Sequence, residues 1–261
     1  MELGLEQKVV LVTGGSKGIG EAIVRSFLSE GARVANVNRP GLAGEQLAAE
    51  AARAGQTYCF IEGDLTEWST SQQAIQTVVD AWGQLDVLVN NAGVNDGVGL
   101  EQGPEAMWQS LQRNLVHYYA LAHYGGEELK RSRGAIVNIG SKVAVTGQGG
   151  TSGYAAAKGG INALTREWAV DLAPAGVRVN AVIPAETWTP LYDKWLQTME
   201  DPTAARGAIE RLIPLGQRFT TAAEIADMVV FLSSSRSSHT TGQIIFVDGG
   251  YTHLDRKCTA H

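Results

Sequence analysis

Apolar residues fall along this chain in two rhythms. Short, nearly unbroken apolar runs, rich in Val and Ile, recur at 8–13, 33–38, 57–61, 86–90, 135–139, 178–183 and 244–247. Each has the length of a strand, and an unbroken run suits a strand buried on both faces. Between the runs lie stretches with apolar residues three and four apart, near 18–30, 44–54, 70–82, 104–131, 154–173 and 222–234. In the third, Ala74, Ile75, Val78, Val79 and Trp82 form one stripe, as expected of a helix laid on a core. Strand and helix alternate, which predicts an α/β fold with a parallel sheet covered by helices on both faces. No linker interrupts the pattern, so 1–261 reads as a single domain. The alternation fails only at about 188–215, where Trp195, Met199 and three prolines (Pro190, Pro202, Pro214) suggest a helical insertion over the C-terminal edge of the sheet. The final ten residues, "THLDRKCTAH", read as a tail.

Composition narrows the function more than the fold. The 261 residues are 44% hydrophobic, enough for a sizeable core, and carry a net charge of −6. No basic block appears, which argues against a nucleic-acid partner. No apolar run has the length of a membrane span, and the N-terminus lacks the charged start and apolar stretch of a signal peptide. Cys59 and Cys258 are too few and too far apart for a disulfide framework, so a reducing, cytoplasmic setting is expected. His117, His123, His239 and His253 lack metal-ligand spacing, and no metal site is expected.

The chemistry begins where the first run ends, in "TGGSKGIG" at 13–20. Gly14 opens a tight turn, Gly18 allows backbone to approach a pyrophosphate, and Gly20 allows close helix packing. Ser16, Lys17 and Ile19 complete the turn and the start of a helix whose free N–H groups face the phosphates. The glycine spacing is one residue longer in its first gap than G-x-G-x-x-G, so the motif alone is modest evidence for a dinucleotide. The second run ends in Asn38 and Arg39, with no carboxylate to repel a 2′-phosphate. Arg39 and Lys17 favour NADP(H), with NAD(H) possible if both are ordinary surface charges.

Tyr154 and Lys158 stand four residues apart at the start of a helical stretch, on one face. A phenol is a poor base near neutrality, and a neighbouring ammonium favours its phenolate. Ser141 stands thirteen residues ahead of Tyr154, after a strand, and a Gly-rich loop can return its hydroxyl to the phenol. A further oddity is "VIPAETWTP", in which the carboxylate of Glu186 sits just past the end of a buried run.

These blocks, with "DLT" at 64–66, "NNAG" at 90–93, Asn114 in "RNL", "YAAAK" and "FVDGG" at 246–250, resemble the short-chain dehydrogenase/reductase family over essentially the whole chain. The resemblance implies a doubly wound (Rossmann) sheet of seven parallel strands and an NAD(P)-dependent oxidoreductase. By motif match, Asp64 and Leu65 would meet the adenine, and Asn90 would begin a turn that brings Asn91, Ala92 and Gly93 to the adenine ribose. Asn114 would hold a proton-relay water. Ser141 would bind the substrate oxygen, Tyr154 would be the acid/base, and Lys158 would bind the nicotinamide ribose and lower the Tyr154 pKa. Pro184, Thr187 and Thr189 would lie at the nicotinamide. A homotetramer is implied, with an interface on the helices near 104–131 and 154–173.

The longer blocks "NNAGVNDGVGLE", "RNLVHYYALAHY", "SKVAVTGQGGTSGY" and "VIPAETWTPLY" resemble the members that oxidise the anomeric carbon of an aldopyranose, such as L-fucose, L-galactose or D-arabinose, to a lactone. The chain departs from the general family pattern at Ala185, Glu186, Thr187 and His117. Asn95, Gln148, Glu186 and Trp188 are candidates to line a sugar pocket, with Trp195 as a lid. Two alternatives stay open: an enzyme acting on a 3-oxoacyl thioester or steroid alcohol, and a non-catalytic dinucleotide sensor on the same fold.

Overall fold

The computed structural model describes residues 2–253. The C-terminal tail, including Cys258, lies outside the described residues except for its first two positions, Thr252 and His253. In chain order the elements are β1 (Val9–Thr13), α1 (Gly18–Ser29), β2 (Arg33–Asn38), α2 (Leu42–Arg53), β3 (Tyr58–Glu62), α3 (Trp68–Trp82), β4 (Val87–Asn90), α4 (Gly103–Leu111) and α5 (His117–Ser132). They continue as β5 (Ala135–Ile139), α6 (Ser152–Leu172), β6 (Arg178–Pro184), β7 (Thr187–Trp188), α7 (Pro190–Leu196), α8 (Pro202–Arg211), β8 (Thr220–Thr221), α9 (Ala222–Ser233) and β9 (Ile244–Val247).

Seven strands form one parallel sheet in the order β3-β2-β1-β4-β5-β6-β9. The winding reverses between β1 and β4, and in such sheets ligands bind in the crevice at the strand C-termini there. The central strands β1, β4 and β5 are buried at every residue, as their unbroken apolar runs require, whereas the edge strands β3 and β9 are mostly half-buried. One apolar layer joins α1 and α9 to one face, around Ile23, Phe27, Ile225 and Val229. The other joins α3, α5 and α6 to the opposite face, around Ile75, Val78, Leu121 and Ile161. The fold is thus the doubly wound α/β arrangement expected, in a single domain.

Two elements differ from the pattern. The stretch near 104–131 is two helices, α4 and α5, joined by a π-helical turn over Gln112–Val116. One residue inserted into a helix leaves the apolar stripe almost intact, so spacing does not reveal it. The segment that breaks the alternation holds α7 and α8, and it is flanked by a short parallel pair in which Thr187 meets Thr220 and Trp188 meets Thr221. Runs of two residues carry no period to read. Among the described residues no helix is long and apolar enough to cross a membrane. Cys59 is a free, half-buried thiol on β3, and burial pushes its pKa up.

Candidate active site

The Gly-rich turn is built by close contacts. A Cβ on Gly20 would sit 2.2 Å from the Gly14 carbonyl oxygen and 2.5 Å from Asn91 Nδ2, so only glycine fits. Asn91 Nδ2 itself donates to the Thr13 carbonyl at 2.8 Å, and the Thr13 hydroxyl accepts from the backbone N–H groups of Asn91 and Ala92 at 2.8 and 2.9 Å. The turn after β4 is thereby tied to the turn after β1. Gly18 has φ +58°, and a Cβ there would meet Thr189 Cγ2 at 3.4 Å, which puts the start of α7 against the Gly-rich turn.

One residue that sequence reasoning missed, Asn36, braces this turn. Asn36, fully buried on β2, accepts from Gly15 N–H at 2.7 Å and donates to Ser16 Oγ at 2.9 Å and to Tyr58 Oη at 3.1 Å. A lone amide inside a run as apolar as β2 was the available signal, because a buried amide needs partners. Lys17 and Arg39 are exposed and have no ion-pair or side-chain hydrogen-bond partner among the described residues. Asp64 accepts from the Thr66 N–H at 2.9 Å and its hydroxyl at 2.8 Å; these bonds, the backbone one first, hold its carboxyl below the usual range.

Ser141 caps a short 3-10 turn after β5, and α6 carries Tyr154 and Lys158. The Lys158 ammonium is fully buried and donates to the Ile139 carbonyl at 2.9 Å and to Tyr118 Oη at 3.2 Å. It lies 5.5 Å from the Tyr154 ring centroid. Burial pushes Lys158 down to about 7. Tyr154 departs from expectation. Its pKa in the chain alone is raised, because burial outweighs the hydrogen bond from Ser141 that lowers it, and Asp96 adds to the rise. Lys158 does not by itself bring the phenol down.

The Asn114 side chain is engaged at both ends. Its Oδ1 accepts from Val94 N–H at 2.7 Å and its Nδ2 donates to the Ser110 carbonyl at 3.0 Å, which braces the 94–99 loop against α4 and the π-turn. His117, also buried, pairs its Nε2 with the Arg113 carbonyl at 2.9 Å. Groups of three or more potential metal ligands do not occur among the described residues.

The proposed sugar-side residues separate. Glu186 is buried at the end of β6; it contacts the Lys142 ammonium through Oε1 and accepts from Tyr192 Oη at 2.6 Å through Oε2. Lys142 follows Ser141 directly, so Glu186 lies against the short turn that Ser141 caps. Neither Lys142 nor Tyr192 was singled out from the sequence, since both sit among residues ordinary for a loop and a helix start. Asn95 and Gln148 are exposed. It is Asp96 that turns inward, accepting from Ser110 Oγ at 2.8 Å and Arg113 at 3.3 Å. Trp188 packs edge-on against Phe219 and under Arg206, and lines a cavity of about 490 Å³ with residues of α7 and α8 that do not include Ser141, Tyr154 or Lys158. Trp195 is 47% exposed and stacks edge-on with Tyr192.

The residues present fit a dinucleotide. Thr187 Oγ1 is buried with no partner among the described residues, and Lys158 has one N–H beyond the two it spends on the chain. Gly93 leaves space beside it, since a Cβ there would lie 3.4 Å from Nζ.

Comparison with known proteins agrees with this geometry. The sequence profile of the family described as Enoyl-(Acyl carrier protein) reductase matches residues 14–252. A curated relative, L-fucose dehydrogenase of Mus musculus, is 38% identical over 93% of this chain and 88% of its own. A 3-oxoacyl acyl-carrier-protein reductase of Thermotoga maritima is 36% identical over 94% of this chain and 98% of its own. Among solved structures, the Cj0485 dehydrogenase superposes with a TM-score of 0.92 at 42% identity, covering 98% of each chain. The ligand-free aldohexose dehydrogenase of Thermoplasma acidophilum gives 0.88 at 32% identity, also over 98% of each. Fold, motifs and relatives therefore converge, and the chain belongs to the short-chain dehydrogenase/reductase family of NAD(P)-dependent oxidoreductases.

Proposed function

We propose that this protein oxidises the anomeric C1 hydroxyl of an aldopyranose, L-fucose or the related L-galactose or D-arabinose, to the lactone, with NADP(H) preferred and NAD(H) accepted. The observation that carries this reading is the buried carboxylate of Glu186, tied to Lys142, the residue beside Ser141. A steroid or an acyl chain offers such a carboxylate nothing to bond, whereas a polyol does, and a site with buried polar groups penalises ligands that leave them unpaired. The L-fucose and aldohexose dehydrogenases among the similar proteins support a sugar. The 3-oxoacyl reductase keeps a thioester as the competing reading.

In this reading Ser141 holds the C1 oxygen and Tyr154, as phenolate, takes its proton while hydride leaves C1 and the C1–O bond becomes a carbonyl. The bound dinucleotide supplies the hydride acceptor and a positive charge beside the phenol. Lys158, fixed by Tyr118 and Ile139, directs its remaining N–H to the ribose and favours the phenolate once that charge is present. Asn114 braces the loop that closes this side and keeps the proton path in place. Arg39 and Lys17 read the 2′-phosphate. Gly14, Ser16, Gly18, Ile19, Asn38, Asp64, Leu65, Asn91, Ala92, Gly93 and Pro184 complete the dinucleotide site, with Thr187 and Thr189 at its carboxamide.

The 188–215 insertion covers the substrate side, with Trp195 as its lid. The protein works as a cytoplasmic homotetramer without nucleic-acid or membrane partners. Exposed Trp108, Tyr119 and Val170 on α4, α5 and α6 give that assembly apolar surface to bury. The test is an assay of purified protein with NADP and NAD against L-fucose, L-galactose, D-arabinose, a 3-oxoacyl thioester and a steroid alcohol. Turnover of an aldose is expected; no turnover of any aldose overturns the sugar reading, and no turnover of anything favours a sensor. Analytical ultracentrifugation checks the tetramer.

A further inference from the structure

Lys142 takes no part in the proton or hydride steps. It opens the 3-10 turn Lys142–Ala144, immediately after Ser141. Its ammonium touches Glu186 Oε1 and lies 4.1 Å from the Tyr251 ring centroid, while Glu186 Oε2 is held by the Tyr192 hydroxyl. Four separated segments thus converge: the turn after β5, the end of β6, α7 and the turn after β9. Stability does not explain such a cluster. Burying two charges costs several kcal/mol apiece, and apolar replacements of similar volume are often neutral or stabilising.

The pair is nonetheless reachable, since the Lys142 and Glu186 side chains retain 16% and 10% of their exposure. Among the described residues Glu186 is the only hydrogen-bond acceptor for the ammonium, which leaves two of its three donors unspent. The carboxylate likewise has lone pairs beyond the two contacts it makes. Burial pushes Lys142 down to about 8.

We infer that Lys142 and Glu186 act as one donor–acceptor unit that reads two neighbouring hydroxyls of the substrate, so that Lys142 is a specificity-determining residue. A vicinal diol presents a donor and an acceptor at each oxygen and matches this unit, whereas a lone alcohol leaves half of it unpaired. The inference rests on the sugar reading above.

The experiment compares wild type with Lys142→Met, Lys142→Arg and the double variant Lys142→Met/Glu186→Leu, after thermal melts confirm folding. The double variant leaves no unpaired buried charge and stays informative if the single one fails to fold. Steady-state kinetics are measured with the best aldose and with its monodeoxy analogues at each ring position. Expected are a KM for the aldose raised about tenfold or more in Lys142→Met and in the double variant, kcat changed less, and NADP affinity unchanged. Discrimination against at least one deoxy analogue should collapse toward unity, and Lys142→Arg should recover part of it. An aldose KM and deoxy-sugar discrimination within twofold of wild type in the double variant overturn the inference while leaving the sugar reading intact. Failure of wild type to oxidise any aldose overturns both.

Discussion

Tyr154 and Arg39 carry the two sharpest consequences at the scale of single residues. Tyr154 is half-buried, is influenced by Ser141 and Asp96, and has the Lys158 ammonium 5.5 Å from its ring centroid. Tyr154→Phe should lower kcat by about a thousandfold or more, in the range that loss of a positioned acid/base produces, while NADPH fluorescence titration shows unchanged binding. Substantial residual turnover would remove the acid/base assignment. Arg39 is exposed just past the end of β2. Arg39→Ala should weaken NADP by roughly tenfold and leave NAD nearly unaltered, because a charge-assisted bond to a phosphate is lost from only one of them. Equal loss for both cofactors would show that it does not read the 2′-phosphate. Tyr154 was legible as a candidate from its spacing to Ser141 and Lys158, and Arg39 from its place just past the second strand. Lys142, Tyr192 and Asp96 were not, because their roles depend on segments far apart in the chain.

Among elements, the β1–α1 turn is a tight joint, with a Gly20 Cβ only 2.2 Å from the Gly14 carbonyl oxygen. With Gly14 and Asn91 packed where a Gly20 side chain would go, Gly20→Ala has no room that a flexible side chain could yield. It should cost about 1–3 kcal/mol in thermal or denaturant unfolding and reduce dinucleotide affinity as well, since helix and cradle must separate. A variant as stable as wild type with normal affinity would show that the turn relaxes freely. The strands and most helices were legible here because burial on two faces or one imposes its own period. The π-turn holding Asn114 was not, because it changes the helix by one residue without changing which residues are apolar.

For the molecule as a whole, a buried histidine couples stability to pH. His117 sits between α5 and the π-turn, and burial pushes it down to about 4 from an ordinary value of 6.5. Between those values the unfolded chain holds the extra proton, so unfolding free energy rises with pH. The stability is fully present above about 6.5 and is lost as pH falls toward 4. The contribution is at most about 3 kcal/mol. Chemical denaturation from pH 4 to 7 should show this slope in wild type and a shallower one in His117→Leu, whatever that variant's absolute stability. An identical slope in both would mean that His117 does not titrate on unfolding.

Local order dictated much of this protein. Unbroken apolar runs made the strands, three- and four-residue spacing made the helices, and the fixed spacing of glycines, Ser141, Tyr154 and Lys158 pointed to the family, because each depends on neighbours within a turn or a motif. Folding decided the rest. It turned Asp96 inward and left Asn95 in solvent, set Trp188 against Phe219, raised the Tyr154 pKa through burial, and closed Glu186 onto Lys142 and Tyr192. Those outcomes come from desolvation and from contacts between distant segments, and neither quantity exists until the sheet and its loops have come together.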